Sequence, residues 1–356
     1  MSYKKYLFLA FVIPLPFLLA YIILLYVYDP LQIYHKPYFR ETTFSTDMRR
    51  QALGIIKHYD FDSYIIGTSM LENTSAKEAS EKLGGKWVNI SLADSSFNER
   101  AVILDYLFKH KNPKKIIYSI DMENYFKEKS TAHYDFLYNA NRVDDIRIYF
   151  SIRYGSCLIK NTLECGQKVD LENLQKWSFK NKRVLENFGG FEKLPKVEIK
   201  RWLESVNQQA VAQTDISEFQ ESFNHFILSF IKQNPNSQFE LIIPPYSILQ
   251  YVSVKDDFMH SQFALALKWL LQAIKNYTNA RVYGFDNLSY TDDIANYRDF
   301  THYNTDMNSL QLDAIKNKSH ILTLENIDMY LNTMQQKIQN YDITPLIDIA
   351  KNILEH

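Results

Sequence analysis

From residue 6 to residue 28 no side chain carries a charge, and no other stretch constrains the fold of this chain as strongly. At about 1.5 Å per residue the run is long enough to cross a bilayer core of about 30 Å as a helix, which satisfies its own backbone polar groups there. Lys4 and Lys5 stand directly before it. Cationic flanks stay on the cytoplasmic side, so residues 1–5 are expected inside, 6–28 as a single anchor, and the rest outside. Tyr21, Tyr26 and Tyr28 then fall at the outer interface, and Pro14 and Pro16 are expected to kink the helix. The localisation this implies is the inner (cytoplasmic) membrane, with the main domain periplasmic or otherwise extracytoplasmic. A cleaved signal peptide is the competing reading. The run exceeds a usual h-region and no small-x-small site precedes Asp29-Pro30, which favours a retained anchor.

The remaining roughly 325 residues can bury a sizeable core, and a composition of 46% hydrophobic and 23% charged residues is that of a globular chain. The formal net charge of −1 comes without a basic block. Nucleic acid is therefore not an expected partner, and anionic lipid meets little beyond the two N-terminal lysines. The two cysteines, Cys157 and Cys165, either close a small loop in an oxidising compartment or remain buried thiols.

After a polar, aromatic connector over 29–62, with a helix expected at 47–58, short apolar runs alternate with helical patterns. Strands are expected at 63–67, 87–91, 115–120, 239–243 and 281–285, and helices at 98–110, 216–232 and 257–277. This rhythm predicts an α/β fold with a parallel sheet. It breaks over 126–214, a charged and aromatic stretch with a Gly189-Gly190 turn, which reads as an inserted helical cap. The helix around 263–267 is apolar enough to raise a second span, but His260, Lys268 and Gln272 interrupt it, so it is read as cover for the sheet. Residues 324–356 read as two helices joined near 342–345.

Two short motifs carry the chemistry. Gly67-Thr68-Ser69 follows the first strand, placing a serine where open α/β sheets bind ligands, and Asp299-Phe300-Thr301-His302 follows the last expected strand. A serine hydroxyl needs a base to become a nucleophile, and a histidine held by a carboxylate supplies one. In this order and placement the motifs resemble those of the SGNH (GDSL-like) hydrolase superfamily, over residues 63–310 without the cap. The resemblance implies a three-layer, flavodoxin-like sheet over 63–323 and a triad of Ser69 as nucleophile, His302 as base and Asp299 as its orienting carboxylate. In that superfamily a Gly after the second strand and an Asn after the third complete the oxyanion hole. Here the corresponding segments offer Asp94, through its backbone amide, and Asn124. The single anchor and the loose spelling of these two blocks look like the membrane-tethered branch that includes D-alanine transfer and polysaccharide O-acetylation proteins.

The resemblance implies an acyl esterase or O-acyltransferase acting on an acylated envelope glycan or a small acyl ester, with a multi-span membrane acyltransferase as a partner if it transfers. No cofactor is implied. The competing class is a non-catalytic domain of the same fold that docks on such a system.

Plainer readings stand beside these. Ser69 could cap the following helix, Asp299 could cap a turn, and His302 could belong to ordinary surface structure. The nine histidines show no paired spacing, so no metal site is expected. Tyr125, Tyr134, Tyr138 and Trp177 are candidates for stacking on sugar rings, with ordinary packing as the alternative, and His133-Tyr134-Asp135 is read as a solvated loop.

Overall fold

The computed structural model describes residues 3–122, 127–141, 143–158, 165–166, 168, 170–174, 176, 182–207, 214–252 and 258–355. The chain separates into two compact units, Met1–Asp60 with Ala132–Leu174, and Phe61–Thr131 with Gln175–His356.

In the first unit, α1 (Tyr3–Val12) and α2 (Pro14–Tyr28) form one apolar helix, long enough to cross a membrane and interrupted only at Ile13, where Pro14 opens the second segment. Ile13 keeps helical dihedrals (φ −65°, ψ −42°) and bonds Leu9 (3.0 Å), so what Pro14 takes from the helix is one backbone donor. Asp29 ends the helix in the left-handed region, and its carboxylate accepts the amides of Ile33 (2.9 Å), Tyr34 (2.7 Å) and His35 (3.0 Å). Arg40 closes the other side, donating to the carbonyls of Tyr28 (2.8 Å) and Asp29 (2.9 Å), where a cation offsets the helix C-terminal partial charge. Helix α3 (Met48–His58) then crosses this turn closely. A Cβ at Gly54 would sit 2.4 Å from the carbonyl oxygen of Leu31, so only glycine fits.

Residues 132–174 belong to this unit, and Cys157 and Cys165 are bonded to each other there. Tyr134 and Tyr138 are buried, and the Tyr138 hydroxyl donates to the Arg49 carbonyl (3.0 Å). The stacking role is corrected for both: their rings are packing. Tyr125 and Trp177 lie outside the described residues.

The second unit is built on β1 (Ser63–Ile66), β2 (Trp87–Asn89), β3 (Lys115–Ser119), β4 (Gln238–Ile242), β5 (Ala280–Tyr283) and β6 (Ile321–Leu322), in the order β2-β1-β3-β4-β5-β6. The first five are parallel, an order shared with flavodoxin-like doubly wound sheets, and β6 pairs antiparallel with β5. The expected parallel sheet is therefore mixed, with a short edge strand that the sequence pattern does not announce. Central strands are covered on both faces, which is why Tyr64-Ile65-Ile66 and Ile116-Ile117-Tyr118 read as continuous apolar runs.

Right-handed crossovers put α4 (Ala76–Leu83), which leads from β1 out to β2, on one face, and α5 (Phe97–His110), which returns to β3, on the other. The packing agrees. Helix α4 meets the helix Thr305–Asn317, while α5 meets the long helix running from Ser217 to Gln233, which in turn meets Gln262–Ile274. That long helix contains a π turn at Asn224–Leu228. The apolar helix Gln262–Ile274 buries Phe263, Ala264, Leu267 and Leu270, as a cover helix does.

Candidate active site

The chain leaves β1 at the switch point, where neighbouring β1 and β3 send their connections in opposite directions and leave a crevice. Gly67 donates its amide to Ser91 Oγ (3.1 Å) and accepts the Leu92 amide (2.8 Å), which stitches the turn to the end of β2. A Cβ at Gly67 would lie 2.8 Å from the Leu71 side chain, so glycine lets the following segment fold back. Asn89 fastens that segment, donating to the carbonyls of Leu71 (2.7 Å) and Thr74 (2.9 Å), and Asn308 donates to those of Met70 (3.0 Å) and to Thr74 Oγ1 (2.9 Å). Ser69 does not cap the next helix: α4 begins at Ala76, and its capping oxygen is that of Ser75, which accepts the Glu78 amide (2.9 Å).

A second loop approaches from the far end of the chain. Tyr297 and Tyr303 form an antiparallel bridge, closed by the Arg298 amide on the His302 carbonyl (3.1 Å). Within it Asp299 Oδ1 accepts the amides of Thr301 (3.0 Å) and His302 (2.8 Å), so the carboxylate does hold a turn as well as facing the imidazole. The loop is braced from below. Phe300 stacks on Trp202 at 6.0 Å between ring centres, its carbonyl accepts the Ser247 amide (3.0 Å), and Trp202 donates its indole N–H to the Leu249 carbonyl (3.2 Å).

The two loops meet. His302 Nε2 lies 2.8 Å from Ser69 Oγ, across 233 positions of sequence, and His302 Nδ1 lies 2.9 Å and 3.0 Å from the two oxygens of Asp299. Burial pushes the Asp299 carboxyl upward, but the hydrogen bonds and charge of His302, with Arg298 behind it at 3.0 Å, outweigh that and hold it well below the usual carboxylate range. An ionised Asp299 can only accept, so Nδ1 carries the proton and Nε2 is left to accept from the serine hydroxyl. The arrangement can therefore take a proton from Ser69 as the hydroxyl attacks, and return it to a leaving group.

Under the serine turn lies a buried ionic network that sequence reasoning missed. Asp121, just past β3, accepts Thr68 Oγ1–H (2.9 Å) and Ser119 Oγ–H (2.6 Å), and Ser119 Oγ in turn accepts the Thr68 amide (3.2 Å). Arg100 from α5 stands 4.0 Å from Asp121, donates to the Ser119 carbonyl (2.7 Å) and lies over the Tyr118 ring at 4.4 Å. Burial pushes Asp121 up, while Arg100, the two hydroxyls and the nearby His302 oppose it. Each half sits in an ordinary local setting, an acid just past the third strand and an arginine in the first turns of the preceding helix, and neither setting points to the other.

The expected oxyanion residues stand differently. Asp94 occupies the loop after β2 with φ +50°, a left-handed backbone that glycine favours and aspartate tolerates. Its carboxylate is 79% exposed and paired with Lys129 Nζ at 2.8 Å. The acid is thus engaged by a surface lysine, leaving the backbone amide as the group of interest. Asn124 lies outside the described residues. Among the described residues no cluster of His, Cys, Asp or Glu is arranged to hold a metal ion. A groove of about 340 Å³ beside β5 and β6, lined by Leu271, Ile274, Arg281, Ile321 and Leu324, contains none of the residues of the Ser69 site. The chain matches no protein-family model and no curated protein.

Proposed function

We propose that this protein is a membrane-anchored serine acyl esterase or O-acyltransferase of the SGNH type, working outside the membrane on an acylated envelope glycan or a small acyl ester. The observation that carries the reading is the unbroken hydrogen-bonded chain from Ser69 Oγ through the His302 ring to Asp299. Ser69 attacks the ester carbonyl, and His302 takes its proton and delivers it to the leaving alcohol. Asp299 holds the ring in the required tautomer and stabilises the imidazolium that forms. The backbone amides of Ser69 and Asp94 are the proposed donors to the oxyanion. Water as second acceptor gives hydrolysis; a sugar hydroxyl gives transfer, with a multi-span acyltransferase as the donor-side partner.

A second reading has one observation in its favour. Where the resembling superfamily has a glycine after the second strand, this chain has Asp94, so a non-catalytic docking domain of the same fold competes with the enzyme. A fluorophosphonate probe separates the two, because it needs an activated serine and no knowledge of substrate. With the full chain in detergent, intact mass is expected to show one adduct that disappears in Ser69→Ala. A folded parent protein that takes up no adduct overturns the enzyme reading.

A further inference from the structure

The apolar helix does not stand free of its own unit. Leu25 is fully buried, and the Tyr21 hydroxyl donates to the Gly155 carbonyl at 3.1 Å. The fit there is close: a Cβ at Gly155 would lie 2.7 Å from the Tyr21 hydroxyl and 2.5 Å from the Tyr149 carbonyl. Gly155 sits in a short elbow. Ser151 caps its one helical turn, Ile152–Gly155, by accepting the Tyr154 amide (3.4 Å), and Cys157, two residues on, is bonded to Cys165.

Depth follows from counting. An apolar core of about 30 Å takes about 20 helical residues, so a span entered just after Lys5 reaches the opposite boundary near Tyr26, with Tyr21 about 7 Å inside it. Whatever is fastened to Tyr21 therefore lies just inside that boundary, and whatever is fastened to Tyr26 lies at it. The elbow is led in by Phe150, which is 49% exposed.

On the other side of the helix end, the loop after Asp29 folds back on Tyr26. The Tyr26 carbonyl accepts from His35 Nε2 (2.9 Å), the His35 ring stands 5.6 Å from that of Tyr26 and 5.1 Å from that of Tyr38, and Tyr38 contacts Phe39 at 5.2 Å. Tyr38 and Phe39 are 69% and 55% exposed. Large aromatics held in the open cost solvation in water, and belts of such rings belong at the headgroup boundary.

We infer that the disulfide-closed elbow behind Phe150 and the Tyr38-Phe39 loop form a lipid-facing collar that rests in the headgroup–acyl boundary of the outer leaflet. The inference rests on the helix being a membrane span, and its occupant is lipid because both aromatic sites are continuous with the helix at the depth where that span leaves the bilayer. The collar would fix the tilt and height of the first unit, a task a lone helix with one flexible exit cannot perform.

Three single variants of the full chain, Phe150→Trp, Phe39→Trp and Phe17→Trp, reconstituted in phosphatidylcholine vesicles, test it by the fluorescence each adds to the parent. The added emission at positions 150 and 39 is expected to be quenched most by lipids brominated high on the acyl chain and to be shielded from aqueous iodide. That at position 17 is expected to respond to bromines deeper in the chain. If position 17 responds to brominated lipid while 150 and 39 respond to iodide instead, the collar is wrong and the span stands. If 150 and 39 are shielded from both quenchers, protein covers them and the lipid assignment is wrong. If position 17 also ignores brominated lipid, the span itself has failed and the collar falls with it.

Discussion

Thr68 Oγ1 donates to Asp121 Oδ1 at 2.9 Å, tying the loop after β1 to the loop after β3 across 53 positions, directly beside the serine that faces His302. The bond fixes the backbone immediately before Ser69. Thr68→Val keeps the side-chain shape and removes the hydroxyl, which donates to Asp121 and also accepts the Met70 amide (3.3 Å). Because a displacement of about 1 Å at a reacting group can cost about 10²-fold, fluorophosphonate labelling of Ser69 is expected to slow by about ten- to a hundredfold. The thermal midpoint should change little by comparison. Unchanged labelling would mean that the bonds of Gly67, Asn89, Asn308 and the Thr68 amide hold the turn without this one.

Asp299→Asn should act through the imidazole. The amide keeps the shape but can donate to Nδ1, which favours the wrong tautomer, and a loss of about 10⁴-fold in the labelling rate is expected on the precedent of serine triads. The same variant carries a stability signature. The folded carboxyl is held below its unfolded value of about 3.9, so its stabilisation is fully present above that pH and lost as pH falls towards the folded value. Below about pH 4 the parent should lose thermal stability more steeply than Asp299→Asn.

Asp286 should show the opposite sign. It lies buried past β5, accepting from the hydroxyls of Tyr330 (2.8 Å) and Tyr251 (3.0 Å), and burial raises its carboxyl to about 6 despite those bonds. A raised carboxyl stabilises the fold below its unfolded pKa of about 3.9, and that contribution is lost as pH rises through the folded value. Between about pH 4 and 6 the melting temperature of Asp286→Asn should therefore fall less, or rise more, than that of the parent. Identical slopes for the two would refute the assignment.

The Arg100–Asp121 pair offers a test by double substitution. Breaking a buried pair from one side leaves an uncompensated charge and costs about 3–5 kcal/mol, whereas replacing both partners with apolar groups can be close to neutral. Arg100→Met alone should lower the urea midpoint sharply, and Arg100→Met with Asp121→Leu should recover much of it. Equal losses in the single and double variants would point to the hydrogen bonds of Arg100 on Ser119, rather than the charge pair, as the larger contribution.

Ser69, Asp299 and His302 were legible because each sits in a local pattern: a glycine turn after an apolar run, and an acid three positions before a histidine. Their meeting at 2.8 Å and 2.9 Å depends on the strand order, which local patterns only imply. Asp121 and Arg100 were not legible for the same reason. Each is unremarkable in its own segment and becomes a pair only when α5 packs behind β3. The edge strand β6 escaped because Ile321-Leu322 is too short to show alternation. The grouping of residues 132–174 with the N-terminal 60 was also hidden, since contacts such as Tyr149 on Asp29 span 120 positions. The donor missing at Pro14, by contrast, is written in one residue.

The 233 positions between Ser69 and His302 also set an order of events in the life of the chain. During synthesis the Ser69 hydroxyl exists long before the His302 imidazole it meets, and β1 is complete while the 297–303 loop has not been made. On the proposed reading a newborn chain carries a chemically silent serine, and reactivity is expected only once the last part of the second unit has closed on the first strand. Any truncation before residue 302 should leave a product that is inert as well as incomplete, so the site certifies its own completion.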